Sequence, residues 1–114
     1  VVVKRLKKAG QLLTPARIGE LRAAATRFAG RPYDLTFEWS DEKIYCSELV
    51  WKMYERVLGI RIGKLQKLRE FDLSDSLVQA KLKERYGDAV PLDEPVISPR
   101  AMFESGLLET VAKQ

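Results

Sequence analysis

Tyr45-Cys46-Ser47-Glu48-Leu49-Val50-Trp51-Lys52-Met53-Tyr54-Glu55-Arg56-Val57-Leu58-Gly59 is the stretch on which the reading of this chain turns. Leu49, Val50, Met53, Tyr54, Val57 and Leu58 recur at helical spacings and lay a broad apolar stripe along one face. Gly59 supplies a left-handed stop. The spacing predicts a helix from Cys46 to Leu58, and that helix opens on the chain's one cysteine. At a helix start, free backbone N–H groups and the positive end of the dipole converge. Such a field favours the thiolate, which is the attacking species. The same N–H groups can stabilise an oxyanion on a substrate. A plainer role stands beside this one: free cysteines are often buried small hydrophobes.

Upstream, Val1 to Leu6 is short and β-branched, and reads as a strand buried on one side or both. Ala9-Gly10 breaks it. Thr14-Pro15 is a cap followed by proline at the first helical position, and Ile18, Leu21, Ala25 and Phe28 share one face. A helix from about 15 to 29 follows, ended by Gly30 and Pro32. From Gly30 to Tyr45 there is no helical period, yet Tyr33, Phe37, Trp39 and Tyr45 crowd the segment. That density places it over the core or along a cleft.

Downstream, Ile60 and Ile62 suggest a short extended piece. Ser74 reads as the cap of a helix from about 75 to 86, stopped by Gly87. Pro91 and Pro95 mark a connection, and Ser98-Pro99 opens a short helix to about Glu104. Leu107 to Ala112 reads as a final strand. The fold class is α+β, with helices in the majority.

Composition narrows the chemistry. The 114 residues are 46% hydrophobic and 32% charged, which is a globular mix. No run approaches the ~18–20 apolar residues of a membrane span. Twenty Lys+Arg against 16 Asp+Glu give a net charge of +4. The basic clusters Lys4-Arg5-Lys7-Lys8 and Lys64-Lys67-Arg69 carry no interleaved aromatics, so they read as solvated faces and no nucleic acid is expected. There is no histidine. No Ser-His or Cys-His pair can be completed within these residues, and a Cys/His zinc site lacks its ligands. Neither a metal nor a cofactor is expected. The opening Val1, where a methionine would begin a full gene product, reads as a processed, truncated or engineered start.

Gly30-x-Pro32-Tyr33-Asp34, followed by Cys46-Ser47-Glu48-Leu49-Val50, resembles the signature of the NlpC-type cysteine peptidases. Tyr45 stands where many members have Asp, and Glu48 where they have Gly. Tyr45-Cys46-Ser47-Glu48 is instead similar to the permuted papain-like amidases of the YaeF/YiiX type. The likeness extends over Val1–Leu6, the Thr14 helix, Lys67 to Ser74 and Ser98-Pro99, in order.

The resemblance implies a papain-like α+β domain in which a catalytic helix packs on a small antiparallel sheet. It implies that residues 1–114 are the C-terminal part of that domain. The catalytic histidine would precede the cysteine in a part outside this sequence. By the same resemblance Cys46 is the nucleophile of an acyl-enzyme mechanism on amide or ester bonds. Tyr33, Tyr45 and Trp39 are candidates for the oxyanion or substrate cleft, each with a packing role as the alternative. Glu48 suits the first turn of a helix on dipole grounds, and Asp34 suits a turn or a substrate contact.

A small-molecule, peptide or lipid-linked substrate and a cell-envelope location follow from the resemblance alone. So does pairing with the absent part, or self-association over an exposed apolar face. A non-catalytic binding or assembly module that kept the scaffold is the rival reading.

Overall fold

The computed structural model describes residues 1–34 and 38–114. Phe37, one of the crowded aromatics, lies outside the described residues. In chain order the elements are β1 (Val2–Leu6), α1 (Ala9–Leu12), α2 (Pro15–Thr26), α3 (Cys46–Leu58), β2 (Gln66–Lys67), a 3-10 turn (Leu68–Glu70), α4 (Ser76–Tyr86), β3 (Pro95–Val96), α5 (Pro99–Phe103) and β4 (Leu108–Lys113). The fold is α+β, with two small antiparallel sheets, β1–β4 and β2–β3.

The local signals act as their chemistry dictates. Thr14 Oγ1 accepts from Arg17 N–H at 3.2 Å and Pro15 opens α2. Ser98 Oγ accepts from Ala101 N–H at 3.0 Å and Pro99 opens α5. Gly59 takes φ +66 and closes α3. Ala9-Gly10, expected only to break a strand, begins a one-turn helix after Lys8 at φ +58. The cap of α4 is Asp75, whose carboxylate accepts from Leu77 and Val78 N–H, and not Ser74. Ser74 is already committed to Asp72 through both its N–H and its hydroxyl.

Long-range pairing departs further from expectation. Ile60 and Ile62 form no strand; Ile62 is buried in the core instead. The paired residues are Gln66↔Val96 and Lys67↔Pro95, so the connection marked by Pro95 contains a strand. β1 pairs with β4 from Val2↔Lys113 to Leu6↔Leu108, with a bulge after Val3. Leu6 alone of this strand is buried, and Val1 and Val3 stand open to solvent. On α2, Leu21 and Ala24 face inward with Phe28 just beyond, while Ile18 is exposed.

Helix α2 packs along α3. Arg17 ties their ends by donating to the Val57 carbonyl at 3.0 Å. A second core gathers where the head of α3 meets the segment after β3: Tyr45, Trp51 and Ile97 are buried, with Trp39, Leu65, Ala101 and Met102 packed around them. These cores are thin for the length of chain. The Cα radius of gyration is 16.0 Å, against about 13 Å for a compact chain of this size. The accessible surface is 7917 Å², against about 6300 Å² for a compact monomer of this mass.

Candidate active site

Cys46 is the first residue of α3 and is exposed. Three sets of contacts hold it there. First, Pro32 to Asp34 runs beside the approach to the helix. Ile44 N–H donates to the Pro32 carbonyl at 3.1 Å and Asp34 N–H to the Ile44 carbonyl at 3.2 Å, closing a parallel bridge between Tyr33 and Ile44. The Gly-x-Pro-Tyr segment therefore lies against the residues that lead into Cys46.

Second, the residues flanking Cys46 both reach the same point. Tyr45 Oη accepts from Ile97 N–H at 3.3 Å, and Ser47 Oγ donates to the Ile97 carbonyl at 2.8 Å. The head of the helix is thus pinned to the residue that follows β3. Burial pushes the Tyr45 hydroxyl well above its ordinary pKa, so it stays neutral. An apolar hollow of about 230 Å³ opens on this side, lined by Tyr45, Leu68, Phe71, Val96 and Ile97 among others. A larger groove of about 1030 Å³ is floored by Trp51 and Gly63 and does not touch Cys46.

Third, a buried charge cluster backs the first two turns of α3. The Glu48 carboxylate is fully buried, accepting from Tyr45 N–H at 3.3 Å and from Lys52 Nζ at 2.8 Å. Lys52, also buried, donates to the Ser40 carbonyl at 2.7 Å and to Asp41 at 2.9 Å. Arg56 donates to the same Asp41 oxygen at 2.9 Å. Burial raises the Glu48 pKa, and the buried carboxylate of Asp34 adds to this; Lys52 and the Tyr45 N–H oppose it. Asp41 moves the other way, held low by its bonds to Arg56 and Lys52.

The candidates from sequence therefore fall into different surroundings. Tyr33 is 58% exposed beside the approach to Cys46. Tyr45 is 3% exposed with its hydroxyl bonded to Ile97, which is a packing position. Trp39 is half-buried; its ring meets Trp51 edge-on at 5.3 Å and its backbone N–H donates to the Glu94 carboxylate at 2.6 Å. Asp34 is fully buried in the bridge region and not on an exposed turn. On sequence, Glu48 takes a dipole role in preference to a catalytic one, and Lys52 takes none. The Glu48–Lys52 spacing of four was the available signal.

Over residues 1–112 the sequence matches the family described as permuted papain-like amidase enzyme, YaeF/YiiX, C92 family. The chain belongs to this family. It is 57% identical over 95 residues to the uncharacterized protein YiiX of Escherichia coli K12, covering 83% of this chain and 47% of YiiX. The crystal structure of metalloprotein yiiX from Escherichia coli O157:H7 matches with a TM-score of 0.88 at 53% identity, covering 99% of this chain and 61% of that one. The chain spans about half the length of the curated relative it matches. Among the described residues, no group of three or more His, Cys, Asp or Glu is placed to hold a metal ion, and no helix is long and apolar enough to cross a membrane.

Proposed function

We propose that this chain is the thiol-bearing part of a cysteine hydrolase that cleaves amide or ester bonds, with Cys46 as nucleophile. The observation that carries the reading is an exposed cysteine on the first residue of α3, in a member of the permuted papain-like amidase family. The Cys46 sulfur adds to the substrate carbonyl, and the backbone N–H at the helix head steadies the resulting oxyanion. The amine or alcohol leaves, and a thioester remains for water to hydrolyse. Tyr33, open to solvent and bridged to Ile44 on the approach to Cys46, is available to a substrate.

These 114 residues contain no histidine, so in this reading a histidine general base is supplied from outside them. The yiiX relative is a metalloprotein. Among the described residues no group of three or more His, Cys, Asp or Glu is placed to hold a metal ion, and the buried Glu48 carboxylate is occupied by Tyr45 and Lys52. No step is routed through a metal.

The chain as it stands accepts an acyl group but does not turn over. Incubation with p-nitrophenyl acetate is expected to add one acetyl group at Cys46, read by intact mass, with no sustained release of nitrophenolate. Equal labelling of the Cys46→Ala variant would remove the assignment.

A further inference from the structure

A carboxylate in the first turn of a helix interacts well with the dipole while exposed to water. Glu48 is fully buried instead, and burying an ion is costly unless its partners are well placed. Its partners show what the burial achieves. One oxygen holds Tyr45 N–H, and the other holds Lys52, which reaches back to the Ser40 carbonyl and Asp41. Lys52 Nζ also lies 4.6 Å from the centre of the Trp39 ring. The loop that delivers the nucleophile is thereby clamped to the second turn of α3.

The clamp acts on the peptide that carries the Cys46 N–H. The Tyr45 carbonyl accepts from Leu49 N–H at 3.0 Å, so it points into the helix. In a planar trans peptide the N–H points opposite to the C=O. The Cys46 N–H therefore points out of the helix head. Glu48 fixes Tyr45 on its N–H side while Leu49 fixes it on its C=O side, leaving that peptide little freedom to rotate.

We propose that Glu48 is a positioning residue for acyl transfer: by holding Tyr45 N–H it aims the Cys46 N–H and thiol at the same substrate carbonyl. This rests on Cys46 being the nucleophile, as proposed above. The role predicts a selective effect. Acylation by p-nitrophenyl acetate passes through an oxyanion: a sulfur–carbon bond forms, the ester C–O bond breaks and nitrophenolate leaves. Alkylation by iodoacetamide displaces iodide at a CH₂ group and needs no oxyanion donor.

The test uses the single cysteine of the 114-residue chain. Rates of acylation and alkylation are measured by intact mass on the parent, Glu48→Ala, Glu48→Ala/Lys52→Met and Glu48→Gln/Lys52→Met, with circular dichroism confirming folding. The double variants remove the buried ammonium and keep the test decisive if Glu48→Ala alone does not fold. The parent's acylation-to-alkylation ratio is expected to exceed that of the same chain in urea. The ratio should fall by about tenfold or more in the alanine variants. Glu48→Gln/Lys52→Met, in which no ammonium competes for the one amide oxygen left to accept from Tyr45, should keep it.

If the folded alanine variants retain the parent ratio, Glu48 is only structural and the proposal is overturned. If Glu48→Gln/Lys52→Met falls as far as the alanine variants, the hydrogen bond to Tyr45 is not the cause and the proposal is again overturned. A parent ratio no higher than that in urea defeats the oxyanion role of the helix head itself, a failure of the underlying reading that is recognisable before any variant is compared.

Discussion

Replacing Gly63 by alanine tests the packing of the second core. Gly63 has φ +97, and its carbonyl accepts from Trp51 Nε1 at 3.1 Å. A Cβ built there would stand 2.9 Å from Met102 N and 3.0 Å from the carbonyl carbon and oxygen of Ala101. These are backbone atoms of α5, so no side chain can swing aside. Two costs follow. The positive φ costs an L-residue roughly 1–2 kcal/mol, and forcing the two backbones apart costs roughly 1–3 kcal/mol more.

Gly59 separates the two. It has φ +66, and a Cβ there meets nothing within 4 Å. Gly59→Ala should therefore show the backbone cost alone. Gly63→Ala should be less stable than Gly59→Ala by about 1–3 kcal/mol. Urea unfolding followed by tryptophan fluorescence reads this directly, because Trp51 bonds to Gly63 and meets Trp39 edge-on. Far-UV circular dichroism should give the same midpoint. Equal stabilities for the two variants would refute the close approach of Gly63 to α5.

Three further outcomes are expected. Tyr45→Phe removes the acceptor that the structure gives the buried Ile97 N–H and should cost about 1–3 kcal/mol, with Ser47→Ala costing about 0.5–1.5; because both side chains hold Ile97, a double-mutant cycle by urea unfolding should show coupling of about 0.5 kcal/mol or more, and strict additivity would contradict a shared anchor. With its native pKa raised, Glu48 contributes stability below its unfolded pKa of about 4.3 that is lost as pH rises through the native value. The stability of Glu48→Gln relative to the parent should therefore climb with pH across that window, and a flat or falling difference in unfolding midpoints would contradict the raised pKa. Lastly, the thin core and large accessible surface predict that the isolated chain associates with itself; sedimentation velocity should show species larger than 13.0 kDa, and a single monomer with a sharp thermal transition would refute the expectation.

The features that could be read from sequence are those decided within four residues. Thr14-Pro15, Ser98-Pro99 and Gly59 act through hydrogen bonds or dihedrals that their neighbours cannot change. The Cys46–Leu58 helix shows the same independence, since its apolar stripe and its stop lie within one segment. The cap of α4 shows where local reasoning fails. Ser74 and Asp75 are adjacent candidates, and the choice fell to Asp72, which binds Ser74 and leaves Asp75 to the helix. Nothing in the spacing of Ser74 discloses that competition.

The site itself divides along the same line. Cys46 at a helix head was legible because one segment builds it. The burial of Glu48 was not, because it depends on Ser40, Asp41 and Lys52 closing around it from two different segments. The two strands that meet at Gln66 and Val96 are two residues long, too short to carry any alternation, and are 30 positions apart in sequence. Yet this pairing places Ile97 against Tyr45 and Ser47, and so sets where Cys46 stands. A periodic segment can announce a helix and a lone cysteine can announce a candidate. The head of that cysteine's helix is held by one buried carboxylate on Tyr45 N–H and by one isoleucine backbone on the side chains of Tyr45 and Ser47, and neither has a pattern of its own.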